Sequence, residues 1–199
     1  MHIDINEDIN IDEVLEFATI RHKGQKRDDG SEYIQHPIRV MQLVTQYKIS
    51  SNIKILQAGA LLHDVLEDTY TSYRELVDRF GEVVASLVME VTSSTFMPKL
   101  VGKQTYLAHK MQYMSSYALI IKLCDRLDNI SDLKGCSMEK IRKTFFDTIY
   151  MVNFIEMKRQ LTEPQKNLIL AIRNQLSVLN TTYNFTNKSI IADSDLDQD

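Results

Sequence analysis

The sequence predicts an all-α protein built as a single helical bundle, and three observations predict it. Apolar residues recur with a period near 3.6 along most of the 199-residue chain. Glycine and proline are scarce, at six and three residues. Alternation of β-branched residues, the mark of half-buried strands, is weak. With 44% apolar residues the chain can bury a core. Its length fits one domain with a short appendage: residues 1–179 as the domain, and 180–199, polar and ending DSDLDQD, as a flexible tail.

Each element has a local reason. Ile11, Val14, Leu15 and Ala18 mark a first helix capped by Asn10 or Asp12, running to about Lys23 and stopped by Gly24. Residues 25–35 are polar and read as a loop. Pro37 opens a second helix as a first-turn proline, with Ile38, Val40, Met41, Leu43 and Val44 as its apolar side. A third begins near Asn52. It is apolar on several sides, which predicts a buried central helix, and it ends on His63 and Asp64. Ser72 with Glu75 predicts a capping box for a fourth helix, closed at Gly81, and Val83–Val91 form a fifth. From Thr92 to Gly102 the pattern breaks, which predicts a loop around Pro98. Helices then follow over Lys103–Met114, Tyr117–Leu133, Glu139–Leu161 and Pro164–Leu179.

Charge narrows the function classes. With 23 basic and 27 acidic residues the formal net charge is -4, so nothing attracts the chain generally to nucleic acid or an anionic membrane. A small anionic ligand stays possible, because one pocket can be locally positive. No run is long enough to span a bilayer, and the start, MHIDINEDINIDEV, lacks a signal peptide's basic region. A cytoplasmic location is the expectation, without membrane or nucleic-acid partners and with a homo-oligomer allowed. Cys124 and Cys136 have no CxxC partner and are expected to be structural or incidental.

Three groups of polar residues sit where a core is expected. In AGALLHDVLEDT an apolar helix runs into His63, Asp64, Glu67 and Asp68, which are costly there unless paired or metal-bound. On a continuous helix His63 and Glu67, four apart, and Asp64 and Glu67, three apart, would share a surface. The plain alternative is a capped helix end followed by a solvated acidic turn. In YIQHPIRV, His36 precedes a proline-started helix and could be a simple flanking residue. In IIKLCDRLDNISDL, Asp125, Asp128, Asn129 and Asp132 stud a helix that could be ordinarily amphipathic, although Ala118, Leu119, Ile120, Ile121 and Leu123 predict burial just before Asp125. Two histidines and two aspartates suit a borderline divalent ion such as Mn, Fe, Co or Ni. Zinc is allowed, and magnesium prefers more oxygen.

These pieces together resemble the HD superfamily of metal-dependent phosphohydrolases. The closer resemblance is to the alarmone hydrolase domain of the RelA/SpoT family, in its stand-alone small alarmone hydrolase branch. The motifs RDDGSEYIQHP, ALLHDVLEDT, FG at 80–81, VTSSTFMPKL and KLCDRLDNISDLK keep their order over residues 12–155. The resemblance implies an HD-domain bundle that removes the 3′-pyrophosphate from ppGpp or pppGpp, giving GDP or GTP and pyrophosphate, with one Mn²⁺ per chain. It implies His36, His63, Asp64 and Asp125 as metal ligands and Glu67 with Asp68 as the pair that orients and deprotonates water. Arg27, Lys99 and Asn129 are implied as substrate contacts. Lys140, Arg142 and Lys143 are within reach of a phosphate role on the late helix. The sequence departs from the pattern at Asp28, where a basic residue is usual, and at Asp128, where His or Tyr is usual. Asp132 matches the stand-alone branch, and the synthetase half of the long bifunctional members is expected to be absent.

The chemistry fits such residues. A divalent ion offsets phosphoryl charge and activates water, and an ionised carboxylate takes its proton. No serine or cysteine stands out as a nucleophile. Two alternatives stay open: an HD enzyme acting on another phosphorylated nucleotide, such as an adenine alarmone or NADPH, and a non-catalytic module that binds an alarmone or neutralises a partner.

Overall fold

Two largely apolar runs of the sequence, residues 55–62 and 118–124, become the centre of the bundle. The computed structural model describes residues 9–94 and 96–185. Over these it holds helices α1 (Ile11–Arg21), α2 (Gln35–Tyr47), α3 (Ile53–Leu61), α4 (Val65–Asp68) and α5 (Tyr73–Val91). They are followed by α6 (Met97–Val101), α7 (Lys103–Tyr113), α8 (Ser116–Ser131), α9 (Met138–Lys158) and α10 (Glu163–Tyr183). The described residues form no named strand, only an isolated antiparallel bridge between Lys26 and Glu32.

α3 packs on α1, α2, α5 and α8, and α8 packs on α2, α5, α9 and α10. Their side chains explain this. Ile55, Leu56, Ala58, Gly59, Ala60 and Leu61 of α3 are all buried, and so is every residue of α8 from Ala118 to Asp125. Helices apolar all round must be covered all round. Gly59 permits the closest approach. A Cβ there would lie 2.8 Å from Leu87 Cδ2 and 2.9 Å from Ile121 Cδ1, so α5 and α8 close on α3 only because that atom is missing.

Local signals hold with informative exceptions. Asn10 caps α1, its Oδ1 accepting from the Asp12 N–H at 3.1 Å. Ser72 caps α5, but Glu75 pairs with Arg21 instead of returning to the cap. A reciprocal capping box stands at α10, where Gln165 Oε1 accepts from the Thr162 N–H at 3.0 Å. The two helices expected around Gly81 are joined directly into α5, with a break at Gly81 where φ is 80°. The expected loop at Pro98 contains α6, a single turn with proline in its opening positions, where a missing N–H costs nothing. α10 continues past residue 179 to Tyr183, and the Phe185 ring packs tilted against Phe145. The rest of the expected tail, residues 186–199, lies outside the described residues. Among the described residues no helix is long and apolar enough to cross a membrane.

Candidate active site

The start of α2, the turn after α3 and the middle of α8 meet at one point. α2 begins at Gln35, two residues earlier than Pro37 alone suggests, so His36 lies inside its first turn. α3 stops at Leu61, and Leu62 to Asp64 form a tight turn before α4. His63 and Asp64 therefore sit on a turn and not on one face of a continuous helix. α8 carries Asp125. His36, His63 and Asp125, all buried, form a metal-binding site whose ligand atoms lie within 4.8 Å of one another.

The outer nitrogens of both imidazoles are occupied. His36 Nδ1 is 2.6 Å from Asp128 Oδ2, and His63 Nδ1 is 2.7 Å from the Ala60 carbonyl. Each ring thus turns Nε2 inward. His36 Nε2 lies 3.3 Å from Asp125 Oδ1. His63 Nε2 is buried without a hydrogen-bond partner, though Asp64 Oδ2 stands 2.8 Å away off the N–H direction. A buried imidazole nitrogen left unpaired beside carboxylates is what a cation site requires. Asp64 borders the triad: its Oδ2 is 3.7 Å from His36 Nε2 and accepts from the Tyr33 hydroxyl at 2.6 Å.

The charges are mutually dependent. Burial works against an ionised Asp125, yet the Lys122 ammonium at 3.0 Å and the two imidazoles hold its carboxyl well below the ordinary range. Burial likewise works against Asp64, and His63 outweighs it. His36 is drawn down by burial and up by Asp125, Asp128 and Asp64, and ends at about 9. Asp68 is pushed up, first by burial and then by the charges of Asp64 and Glu67.

A cavity of about 490 Å³ opens over this centre. His36, Asp64 and Asp125 line its metal end, beside Glu67 and Asp68. Glu67 Oε2 accepts from the Ser93 N–H at 3.0 Å, while among the described residues the Asp68 carboxylate accepts no hydrogen bond. Arg27 enters from the loop before α2 and reaches Asn129 Oδ1 at 3.4 Å and Asp132 at 3.5 Å. The far wall carries Lys103, Arg126 and Lys143 around Asp147. One end of the cavity suits a cation and the other an anion.

Of the residues singled out in the sequence, His36, Asp64, Glu67, Asp68, Asp125, Arg27 and Asn129 all line this cavity, with His63 directly behind. Lys99 is exposed on α6 and does not line it, whereas Lys103 does. Sequence reasoning missed Tyr33, Arg39 and Lys122. Lys122 had a visible signal, a lysine inside the apolar run ALIIKLCD. Arg39 had one too, three residues after His36 and so on the same helix face. Cys124 is buried in the core, its thiol pushed up by burial, in keeping with a structural role.

Known proteins resemble this chain in sequence and in fold. A family model described as HD domain matches residues 14–150. A human guanosine-3′,5′-bis(diphosphate) 3′-pyrophosphohydrolase, MESH1, is 37% identical over 164 residues, covering 78% of this chain and 90% of its own. The Xenopus tropicalis protein of the same name is 38% identical over 129 residues, covering 64% and 71%. An Aquifex aeolicus guanosine-3′,5′-bis(diphosphate) 3′-pyrophosphohydrolase is 36% identical over 148 residues, or 70% of this chain but 20% of its own length. Among solved structures, a metazoan ortholog of SpoT that hydrolyses ppGpp superposes with a TM-score of 0.71 at 26% identity, covering 84% of this chain and 94% of its own. A Listeria monocytogenes protein at 17% identity shares the fold, with a TM-score of 0.61. With that model spanning more than half of the chain and a solved relative sharing the fold, the chain belongs to the HD-domain family and is closely related to its Mesh1-like (p)ppGpp hydrolases.

Proposed function

We propose that the chain hydrolyses the 3′-pyrophosphate of ppGpp, and of pppGpp, to GDP or GTP and pyrophosphate, with Mn²⁺ as its resident cation. The observation that carries this reading is the meeting, in one cavity, of the His36–His63–Asp125 triad, the Glu67–Asp68 pair and a cationic far wall. The relatives' activities agree with it.

The donor set fits a borderline divalent ion: two imidazole nitrogens and a carboxylate, with Asp64 as fourth ligand. When bound, such an ion supplies Lewis-acid charge to the phosphoryl oxygens and to water. The chain does the rest. Lys122 holds Asp125 ionised and in place. Glu67, fixed by Ser93, orients the attacking water, and Asp68, free and raised in basicity, takes its proton. Water's oxygen joins the phosphorus as the bond to the 3′-oxygen breaks, and the departing 3′-oxygen takes up one proton, balancing the one that Asp68 removed from water, so that GDP or GTP leaves with a free 3′-hydroxyl. Arg27 and Asn129 face the nucleoside, and Arg27's planar guanidinium suits stacking on a purine. We assign the distal phosphates to the cavity-lining Lys103, Arg126 and Lys143 in preference to the exposed Lys99. The test is anion-exchange chromatography of products after incubation with ppGpp and Mn²⁺. Equal GDP and pyrophosphate are expected. Unchanged ppGpp, or orthophosphate without pyrophosphate, overturns the reading.

A further inference from the structure

α2 and α8 lie against each other and present two short ladders of polar residues. On α2 the ladder is His36 and Arg39, three apart on one face. On α8 it is Asp125 and Asp128, three apart, continued four residues on by Asp132 at the helix's C-cap. The ladders interlock. Asp125 approaches His36 from the Nε2 side and Asp128 from the Nδ1 side, so two carboxylates of one helix bracket a single imidazole. Asp128 is itself gripped. Arg39 Nε donates to its Oδ1 at 2.6 Å and Arg39 NH2 to its Oδ2 at 3.0 Å, a two-point fork. The same guanidinium also donates to Asp132.

Asp128 is buried at 4% exposure, and a carboxylate so placed is costly unless every oxygen is matched. Here both oxygens are matched, and one of them also meets His36. A ring bonded at Nδ1 to a fixed carboxylate keeps its proton on that nitrogen and its lone pair on the other. It also cannot flip without breaking a buried charge-assisted hydrogen bond. Arg39 removes the freedom that would remain, since the planar fork leaves Asp128 one orientation.

We propose that Asp128, clamped by Arg39, is a positioning residue that fixes the tautomer and orientation of His36, so that Nε2 faces the metal site. It touches neither substrate nor cation. Its effect runs through His36, and Arg39's runs through Asp128. Such outer partners typically carry about 10–100-fold in metal affinity. The inference rests on the metal-site reading above, and its test separates the two.

Mn²⁺ binding to the full chain is measured by titration calorimetry for wild type, Asp128→Ala, Asp128→Asn and Arg39→Gln, with circular dichroism confirming that each is folded. Asp128→Ala is expected to weaken binding about 10–100-fold. Asp128→Asn, which keeps an acceptor for Nδ1–H, should recover part of that loss, and Arg39→Gln should show a smaller one. The second readout is the ring itself. With Zn²⁺ bound, nitrogen NMR should show His36 protonated at Nδ1 and ligating through Nε2 in wild type, with that single state lost in Asp128→Ala. This measurement reports on the ring and not on general stability. It also decides the case if a variant's affinity changes through weakened folding. Wild-type protein that binds no cation overturns the metal site and this role with it. Wild type and Asp128→Ala binding equally well, with the same ring state, overturns the positioning role alone.

Discussion

Asp28 and Lys140, 112 positions apart, form an ion pair across the mouth of the cavity, and the Cys136 thiol donates to the same carboxylate oxygen at 3.4 Å. The hydrogen bond from Lys140 holds the Asp28 carboxyl below its ordinary range. The carboxylate that stands where the family pattern has a basic residue thus spends its charge on a lysine of α9. Lys140 lines the cavity and would otherwise be available to phosphate.

Asp28→Asn should therefore release Lys140. The expected outcome is a rise in kcat/KM for pppGpp larger than for ppGpp, because the longer 5′ chain presents more charge. Both partners are partly exposed, at 55% and 38%, so the gain is limited to about 1 kcal/mol or less. Steady-state kinetics with both substrates measures it. An unchanged ratio would place the 5′ end away from Lys140.

The proposed mechanism gives the two members of the acidic pair different roles. Glu67 accepts a hydrogen bond from the Ser93 N–H, while among the described residues the Asp68 carboxylate accepts none, and burial and its acidic neighbours push Asp68 above the ordinary carboxylate range. Asp68→Asn should lower kcat by ~10²–10⁴-fold with cation binding retained. Glu67→Gln should lower it less, since an amide oxygen can still accept from Ser93. Single-turnover rates on Mn²⁺-loaded variants decide this, and a reversed order would make Glu67 the base.

The metal-free protein should lose stability as pH rises. His36 is raised from 6.5 to about 9 in the fold, so its contribution is complete below about 6.5 and disappears as pH climbs through about 9. Asp64 and Asp125, with depressed values, lose theirs only at acid pH and do not overlap that window. Bound cation takes the place of the proton on Nε2 and should flatten the profile. At a cation concentration a hundredfold above Kd the fold should gain about 2.7 kcal/mol, a Tm rise of roughly 5–10 °C. Thermal melts from pH 6 to 10, with and without Mn²⁺, test both statements. Equal slopes would contradict them, and His63→Ala should abolish the cation's effect.

Gly135 should prove more sensitive than its loop position implies. Its φ is +78°, and a Cβ there would lie 2.5 Å from the Asp28 carbonyl oxygen. The turn after α8 thereby braces the backbone that carries Arg27 and Asp28. Gly135→Ala adds about 1–2 kcal/mol of left-handed strain and must also displace that loop. KM for the nucleotide should rise while Mn²⁺ affinity stays near wild type. Calorimetry beside kinetics separates the two, and a loss of Mn²⁺ affinity as large as the rise in KM would refute the local account.

The sequence by itself determined the helical class, most helix boundaries within a few residues, and the residues of the metal triad. Those are legible because periodicity and capping are local, and because His63 or Asp125 directly after an apolar run is visibly out of place. The break after Leu61 and the turn of α6 were not legible, since both depend on what the neighbouring helices leave room for. The partners were beyond reach for a deeper reason. Asp128 meets His36 across 92 positions, Arg39 meets Asp128 across 89, and Asp28 meets Lys140 across 112. No local pattern specifies which charge will face which. Only the packing of α2 on α8, and of the loop before α2 on the turn after α8, brings them within hydrogen-bond distance. Tertiary structure thus decided which ring nitrogen faces the cation, and which cavity charges are already paired.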